Sequence, residues 1–95
     1  MAHLIWSPQA VSDLEAICDY IAKDSQEYAC IVARRIVNVV ESIPDHPGAG
    51  RMVPEWQTPS LRERIVGSYR VIYRAGPEAV EIVTIIHGAR VFREL

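Results

Sequence analysis

The sequence predicts an α+β fold with the element order β-α-α-β-β-β, in which a helical hairpin packs on a small, mainly antiparallel sheet. Two stretches before residue 44 repeat apolar residues at helical spacing. Residues 61–90 then hold three short runs rich in Val, Ile and Tyr, which is the pattern of a strand meander. The turn residues that bound these runs are Gly67-Ser68, Gly76-Pro77 and His87-Gly88.

The first half of the chain predicts one strand and two helices. Residues 2–6 are a short apolar run that suits an opening strand. Ser7 can cap a helix through its hydroxyl, and Pro8 suits the first helical position because it has no N–H to leave unsatisfied. This helix is expected from about residue 8 to residue 23. Its apolar stripe consists of Val11, Leu14, Ile17, Cys18 and Ile21.

A second helix is predicted after a short link at residues 24–26, and it ends at Pro44. One face carries Ala29, Val32, Ile36, Val39, Val40 and Ile43. Ile31, Ala33 and Val37 widen this face, and the extra width either packs on the sheet or meets a partner. Residues 44–60 hold four prolines and two glycines and are predicted as a loop, in which Trp56 is either a lid over the sheet edge or a binding platform.

Alternation along the strands predicts which side chains face the core. Tyr69, Val71 and Tyr73 share one face of the middle strand, so the residues between them face outward. The last strand is largely apolar at its odd-numbered and at its even-numbered positions, which predicts a central strand covered on both sides. We therefore expect the sheet to carry a cationic surface. Its members are Arg62, Arg64, Arg70 and Arg74 on one exposed face, with His87 and Arg90 where the last strand ends.

Composition limits the class of protein. Ninety-five residues suffice for one domain, residues 1–95, and the 49% apolar and 23% charged fractions are those of a soluble globular protein. Neither a membrane span nor a signal peptide is recognisable, so a cytoplasmic location is expected. Residues 1–50 hold three cationic and seven acidic side chains, and residues 51–95 hold seven and five. With a pI near 5.9, direct nucleic-acid binding is not expected.

The two cysteines, Cys18 and Cys30, fall on the two predicted helices without a CxxC or metal-ligand spacing. We expect them to be small buried apolar side chains, although a disulfide between facing helices is compatible with the sequence. No metal site and no cofactor are predicted.

Two segments resemble a known family. LRERIVGSYRVIYR, followed by IIHGAR, resembles the C-terminal half of the RelE/ParE superfamily, the toxins of type II toxin-antitoxin pairs. IWSPQAVSDLEAICDYIAKDS resembles the first strand and first helix of its ParE branch. The stretch from Pro47 to Arg51 is similar to a turn that leads from helix to sheet in this family. The resemblance implies the same β-α-α-β-β-β fold.

The resemblance also implies two possible mechanisms. RelE-type members cut messenger RNA on the ribosome, and ParE-type members bind and inhibit DNA gyrase. Metal-free RNA cleavage needs a base, an acid and cations for the phosphate. If this chain were a ribonuclease, Glu63 would be the base, His87 the acid, and Arg70 with Arg90 the phosphate clamp.

Departures from the ribonuclease pattern favour the ParE reading. The only lysine is Lys23, on the first helix, and no tyrosine follows His87, where Phe92 can stack but cannot move a proton. His87 then has a structural role at a strand end, and Arg70 pairs with Glu63 or Glu81 across strands. We predict a gyrase inhibitor that acts by binding. The alternatives are a ribosome-dependent endoribonuclease and a member that binds its antitoxin without toxicity.

The resemblance further implies a cognate antitoxin, whose C-terminal segment wraps the toxin and forms a hetero-oligomer with it. Acidic residues of that segment would pair with the arginines of the sheet. Residues predicted to bind the antitoxin or the target are Arg62, Arg64, Arg70, Arg74, His87, Arg90 and Phe92.

Overall fold

The computed structural model describes residues 3–93, and its element order confirms the α+β prediction. The elements are β1 (His3–Trp6), α1 (Pro8–Ala22), α2 (Gln26–Ser42), a 3-10 turn (Ile43–Asp45), β2 (Arg51–Met52), β3 (Leu61–Val66), β4 (Tyr69–Ala75) and β5 (Ala79–His87). The two-residue strand β2 lies inside the region predicted as loop. Residue 2 of the predicted opening strand lies outside the described residues.

Serine side chains fix the start of both helices. The Ser7 hydroxyl accepts a hydrogen bond from the backbone N–H of Ala10 at 3.0 Å and donates to the carbonyl of Val83 at 2.8 Å. Ser25 accepts from the N–H of Tyr28 at 3.0 Å. Each serine satisfies one of the N–H groups that a helix start leaves unpaired. Ser7 also joins the start of α1 directly to β5.

The five strands have the order β1-β5-β4-β3-β2, with β1 parallel to β5 and the other pairs antiparallel. The strand β5 therefore lies inside the sheet, between β1 and β4, which agrees with the prediction that it is not an edge strand. A bulge interrupts its pairing with β4, because Ile72 lies opposite Thr84 whereas Tyr73 lies opposite Ile82. The extra residue changes the face of every side chain that follows it. The strict alternation predicted for this strand is wrong beyond Ile82.

Apolar side chains pack on both faces of the sheet. The helix-side core contains Ala10, Val32, Ile36, Val40, Ile43, Val66, Val71, Tyr73, Val80, Ile82 and Ile85. A smaller cluster on the opposite face contains Val53, Leu61, Ile72 and Phe92, with Val83 and Ile86 against it. The second cluster is covered by the loop before β3 and by the segment after β5, not by a helix.

Some helical positions differ from the prediction. Val11, expected in the apolar stripe of α1, is 45% exposed, and Ile31 on α2 is 43% exposed. Both cysteines are free thiols, Cys18 half-buried and Cys30 exposed, so the expectation that both are buried is wrong for Cys30. Burial raises the pKa of the Cys18 thiol, and the neighbouring Asp19 acts in the same direction. Within residues 3–93, neither helix has the length and apolarity needed to cross a membrane.

Candidate functional site

The register of the β3–β4 hairpin decides which arginines share a face. The two-residue turn places Val66 opposite Tyr69, so that Arg62 lies opposite Tyr73 and Arg64 opposite Val71. Directly opposed residues project to the same side of a sheet. Because Tyr73 and Val71 belong to the helix-side core, Arg62 and Arg64 lie on the helix side of the sheet.

The other two arginines lie on the opposite face. Arg70 pairs with Ile65, and Arg74 pairs with Leu61 of the opposite-face cluster. The prediction that all four arginines gather on one exposed surface is therefore wrong. Alternation was counted within each strand, but the two-residue turn pairs even-numbered positions with odd-numbered ones.

Arg70 is buried, which also contradicts the predicted exposure. Its side chain is 6% exposed, and all three guanidinium nitrogens donate hydrogen bonds. Nε donates to Glu63 Oε1 at 2.8 Å, and Nη1 and Nη2 each donate to a Glu55 oxygen at 2.7 Å. Nη1 also donates to the carbonyl of Arg90 at 2.8 Å. The Glu55 and Glu63 carboxylates raise the pKa of Arg70 against the effect of burial, so its charge is fixed.

Glu63 is the second member of this network, and its side chain is fully buried. Its Oε1 accepts from Arg70, and its Oε2 accepts from Arg51 Nε at 2.6 Å. The ion pair suggested for Arg70 and Glu63 from their adjacent strands is confirmed. Arg74 makes only a long contact, 3.9 Å, with Glu81, and both side chains are more than 40% exposed.

Glu55 was not predicted as a site residue, yet it connects the network to the end of the chain. Its bonds with Arg70, followed by the Phe92 backbone N–H, lower its pKa to about 2 against the opposing effect of burial. The Phe92 N–H donates to Glu55 Oε2 at 2.9 Å. The neighbouring Trp56 donates from Nε1 to the Phe92 carbonyl at 2.9 Å, and the two rings lie 6.0 Å apart. Trp56 thus acts as a lid over the opposite-face cluster.

We call the bonds among Glu55, Arg70 and Phe92 the clamp, and residues 88–93 the C-terminal segment. Sequence reasoning missed the clamp because Glu55 lies in an irregular loop without periodicity. A carboxylate next to a tryptophan in a proline-rich loop was the only available signal.

His87 lies away from the clamp. It is exposed, it pairs with Tyr69, and its ring meets the Tyr69 ring edge-on at 5.9 Å. Tyr69 packs against the helix-side core, so His87 is on the side opposite Arg70. Its Nδ1 accepts from the Ala89 N–H at 3.2 Å, which is a strand-end contact. The four residues nominated for RNA cleavage are therefore not brought together on one face.

A groove of about 670 Å³ lies between α1 and the C-terminal segment. It is lined by Gln9, Asp13, Val83, Thr84, Ile86, Arg90, Val91, Phe92 and Arg93. The Asp13 carboxylate, also not predicted, accepts from Gln9 Nε2 at 2.7 Å, from the Ile85 N–H at 3.0 Å and from the Thr84 hydroxyl. It holds β5 next to the bulge. Of the predicted binding residues, Arg90 and the buried Phe92 line this groove.

The chemistry of the described residues does not suggest a metal centre. Within residues 3–93, His, Cys, Asp and Glu side chains do not assemble in groups of three or more that could hold an ion. The buried charged side chains of Arg70 and Glu63 are instead arranged as an ion pair.

Comparison with known proteins decides the family. Residues 4–92 match the model of the ParE toxin of the type II toxin-antitoxin system, parDE. This chain belongs to the ParE toxin family. It is therefore a toxin of a type II toxin-antitoxin system within the RelE/ParE superfamily, as the resemblance implied.

Two curated relatives align over most of this ParE-family chain. Toxin RelE2 of Caulobacter vibrioides is 36% identical over 91 residues, which cover 95% of the chain and 99% of the relative. Putative toxin Y4kP of Sinorhizobium fredii is 32% identical over 85 residues, covering 87% of the chain and 84% of the relative. The family model and the name of the first relative thus point to different branches of the superfamily.

Solved structures confirm the fold. A chain of the chromosomal ParDE TA system from P. aeruginosa superposes with a TM-score of 0.76 at 24% identity, covering 92% of this chain and 96% of that one. The YoeB dimer from Staphylococcus aureus superposes with a TM-score of 0.59 at 15% identity, covering 87% and 92%. Both similarities concern the fold of this chain and not its target.

Proposed function

We propose that this ParE-family toxin inhibits DNA gyrase in the cytoplasm by binding to it, without cleaving nucleic acid itself, and that a cognate antitoxin neutralises it. The observation that carries the proposal is that the Glu63 carboxylate has no free oxygen to act as a base. Both of its carboxylate oxygens already accept hydrogen bonds from arginines, and its side chain is fully buried.

The same network argues against the phosphate-clamp role of Arg70. A general base must reach the proton that it abstracts, and a phosphate clamp must have donors to spare. Arg70 uses its guanidinium nitrogens on Glu63, Glu55 and a backbone carbonyl. His87, the nominated acid, lies on the other side of the sheet. Binding to a protein target needs no such assembly.

The antitoxin part of the proposal is supported by the family and by its structural neighbours. The ParE family is defined within toxin-antitoxin systems. One of the solved neighbours is a YoeB-YefM complex from Staphylococcus aureus, with a TM-score of 0.55 at 14% identity. A hetero-oligomer with the antitoxin is therefore the expected resting form of this toxin.

The test is supercoiling of relaxed plasmid by purified gyrase with ATP, titrated with the toxin. We expect inhibition with accumulation of cleaved DNA, and relief when the cognate antitoxin is added. Arg34→Ala, on the exposed face of α2, serves as a control for the effect of an arbitrary surface arginine. Full supercoiling activity at a large excess of folded toxin would contradict the proposal.

The 36% identity with Toxin RelE2 keeps ribosome-dependent RNA cleavage as the second candidate. Its test is cleavage of messenger RNA in a purified translation system, with His87→Ala compared with His46→Ala, an exposed loop histidine. Cleavage that His87→Ala abolishes and His46→Ala preserves would establish catalysis. A protein that binds the antitoxin but inhibits neither gyrase nor translation would match the third alternative, a family member that has no toxicity.

A further inference from the structure

The two cysteines lie at the same level of the helical hairpin. Cys18 is four residues before Ala22, the last residue of α1, and Cys30 is four residues after Gln26, the first residue of α2. The two helices pack on each other and are joined only by residues 23–25, so they run antiparallel. At a rise of about 1.5 Å per residue, each cysteine is about 6 Å along its helix from this link.

Cys18 is on the side of α1 that meets α2. The opposite side of α1 lines the groove beside the C-terminal segment, through Gln9 and Asp13. Cys18 follows Asp13 by five residues, which at about 100° per residue places it about 140° around the helix. Cys18 and Ala22, one turn later, are both half-buried. Since α1 packs on β5 and on α2, this half-buried side is the one that meets α2.

Cys30 is on the side of α2 that meets α1. Tyr28 and Val32 line a cavity of about 160 Å³ against the turn between β3 and β4. Cys30 is two residues from each of them, which places it on the opposite side of the helix. Ala33 and Val37 share that side with Cys30, and both are half-buried. Cys30 itself is exposed, so it lies at the solvent edge of the contact between the helices.

The two thiols are therefore neighbours across the hairpin. Axes of packed helices lie about 8–10 Å apart and each Cα is about 2.3 Å from its axis, so facing residues have Cα atoms roughly 4–6 Å apart. A disulfide requires Cα atoms about 4.4–6.8 Å apart. The thiols also influence each other electrostatically, because Cys30 acts with burial and Asp19 to raise the pKa of Cys18.

We propose that Cys18 and Cys30 form a reversible redox site, in which a low-molecular-weight disulfide such as oxidised glutathione converts the two thiols into a disulfide between α1 and α2. The Cys30 thiolate attacks one sulfur of oxidised glutathione, forms a mixed disulfide and releases one glutathione thiolate. The Cys18 thiolate then attacks the Cys30 sulfur and expels the second glutathione. Two protein thiols and one glutathione disulfide become one protein disulfide and two glutathione thiols, so atoms and electrons balance.

Exposure assigns the order of the two steps. Cys30 is open to a reagent in solution, whereas Cys18 is half-buried and its raised pKa leaves less of it as thiolate. Attack of Cys18 on the Cys30 sulfur is intramolecular, and this proximity compensates for the smaller thiolate fraction. In a reducing compartment the dithiol form prevails, and oxidising conditions join the helices.

The redox site is separate from the other polar features of the molecule. Both cysteines belong to the helical hairpin, whereas the clamp lies on the opposite face of the sheet. The inference therefore holds whether the toxin acts on gyrase or on the ribosome. Its consequence is that oxidation stabilises the hairpin while the clamp and the groove keep their structure.

The first test is treatment of the purified toxin with oxidised glutathione, followed by intact-mass spectrometry and non-reducing electrophoresis. We expect the wild type to lose the mass of two hydrogen atoms, to remain monomeric and to recover its first mass with dithiothreitol. Cys18→Ala should stop at an adduct of one glutathione on Cys30. Wild type that retains a glutathione adduct, or that forms chains linked through Cys30, would overturn the proposal.

Thermal unfolding tests whether the bond joins the two helices of the folded toxin. We expect oxidised wild type to melt roughly 10 °C above reduced wild type, because a disulfide restricts the unfolded chain. Cys18→Ala, treated in the same two ways, is the matched control and should show no such rise. Equal melting temperatures for oxidised and reduced wild type, or a rise of the same size in Cys18→Ala, would contradict a stabilising bond between α1 and α2.

Discussion

The two faces of the sheet are stabilised by different physical means. On the helix side, eleven buried residues among the described positions 3–93 form a core whose members, apart from the Tyr73 hydroxyl, carry no polar side-chain atom. On the opposite face only four buried apolar residues cluster, and beside them lie the buried charges of Arg70 and Glu63. The stability of the helix side depends on the buried apolar area and on the fit of its side chains. The stability of the opposite face depends on a few ion pairs and hydrogen bonds.

This difference has a consequence for what each face can tolerate. Burial of apolar area is non-directional, and related apolar side chains substitute for one another at modest cost. A buried ion pair is directional, and removal of one partner leaves the other charge without solvent or counter-charge. The opposite face also carries the groove and the clamp. Mutations there should combine large effects on stability with local effects on binding.

The largest effect is expected from Arg70→Met, which leaves Glu55 and the fully buried Glu63 without their shared partner. The loss of unfolding free energy should be about 3–5 kcal/mol. Chemical denaturation followed by circular dichroism measures it. The matched control is Arg74→Met on the same strand and face, whose long, exposed pair with Glu81 is worth less than about 1 kcal/mol. Similar losses for the two variants would refute the distinction between the buried and the exposed arginine.

A smaller effect is expected from Gly50→Ala, at the point where the loop before β3 packs against Tyr73 of the helix-side core and against the backbone of Glu63. The Gly50 N–H donates to the Tyr73 hydroxyl at 3.1 Å, and an added Cβ would lie 2.7 Å from the Glu63 carbonyl oxygen and also against the Tyr73 hydroxyl. Overpacking of this kind costs about 1–3 kcal/mol. Gly48→Ala is the control, since an added Cβ there meets nothing within 4 Å. A thermal melt that ranks Gly48→Ala below Gly50→Ala would contradict this prediction.

The sequence predicted the helix-side face well because the periodic spacing of apolar residues shows which side chains of a helix or strand face the core. Helical spacing located α1 and α2, Ser7 and Pro8 marked the first helix start, and the turn dipeptides separated the three strands. One feature broke the pattern locally. The bulge in β5 moved Ile86 away from the face shared by Val80 and Ile82, and no residue type in that strand signals a bulge.

The opposite face was predicted poorly because its contacts are few, long-range and polar. Alternation placed Arg70 on the correct strand face, but an arginine in a strand is as compatible with solvent as with a buried ion pair. Its burial depends on Glu55, fifteen residues earlier in an irregular loop. The hairpin register could have been derived from the two-residue turn, which pairs Val66 with Tyr69 and so separates Arg62 from Arg70.

The clamp should make part of the stability of the opposite face depend on pH. The pKa of Glu55 is lowered from 4.5 to about 2 in the folded chain, so its contribution is fully present above pH 4.5 and is lost as the pH falls towards 2. We expect Glu55→Gln to cost about 1–2 kcal/mol at pH 7, and this cost should shrink as the pH falls through the folded-state pKa of about 2. Denaturant titrations of both proteins at pH 7, 4 and 2 measure this difference. A gap between them that stays constant with pH would show that Glu55 is not acting through its charge.

The smallest effect is expected from Ile36→Val, in the centre of the helix-side core. Ile36 is fully buried among apolar side chains, so the substitution removes one methylene group without disturbing any polar contact. The expected cost is about 0.5–1.5 kcal/mol. Since no titratable group contributes to this cost, it should be the same at pH 7 and pH 4. Binding of the toxin to its antitoxin should be unchanged. A pH-dependent cost, or weaker binding of the antitoxin, would contradict this prediction. Either result would show that the clamp responds to packing on the other face of the sheet.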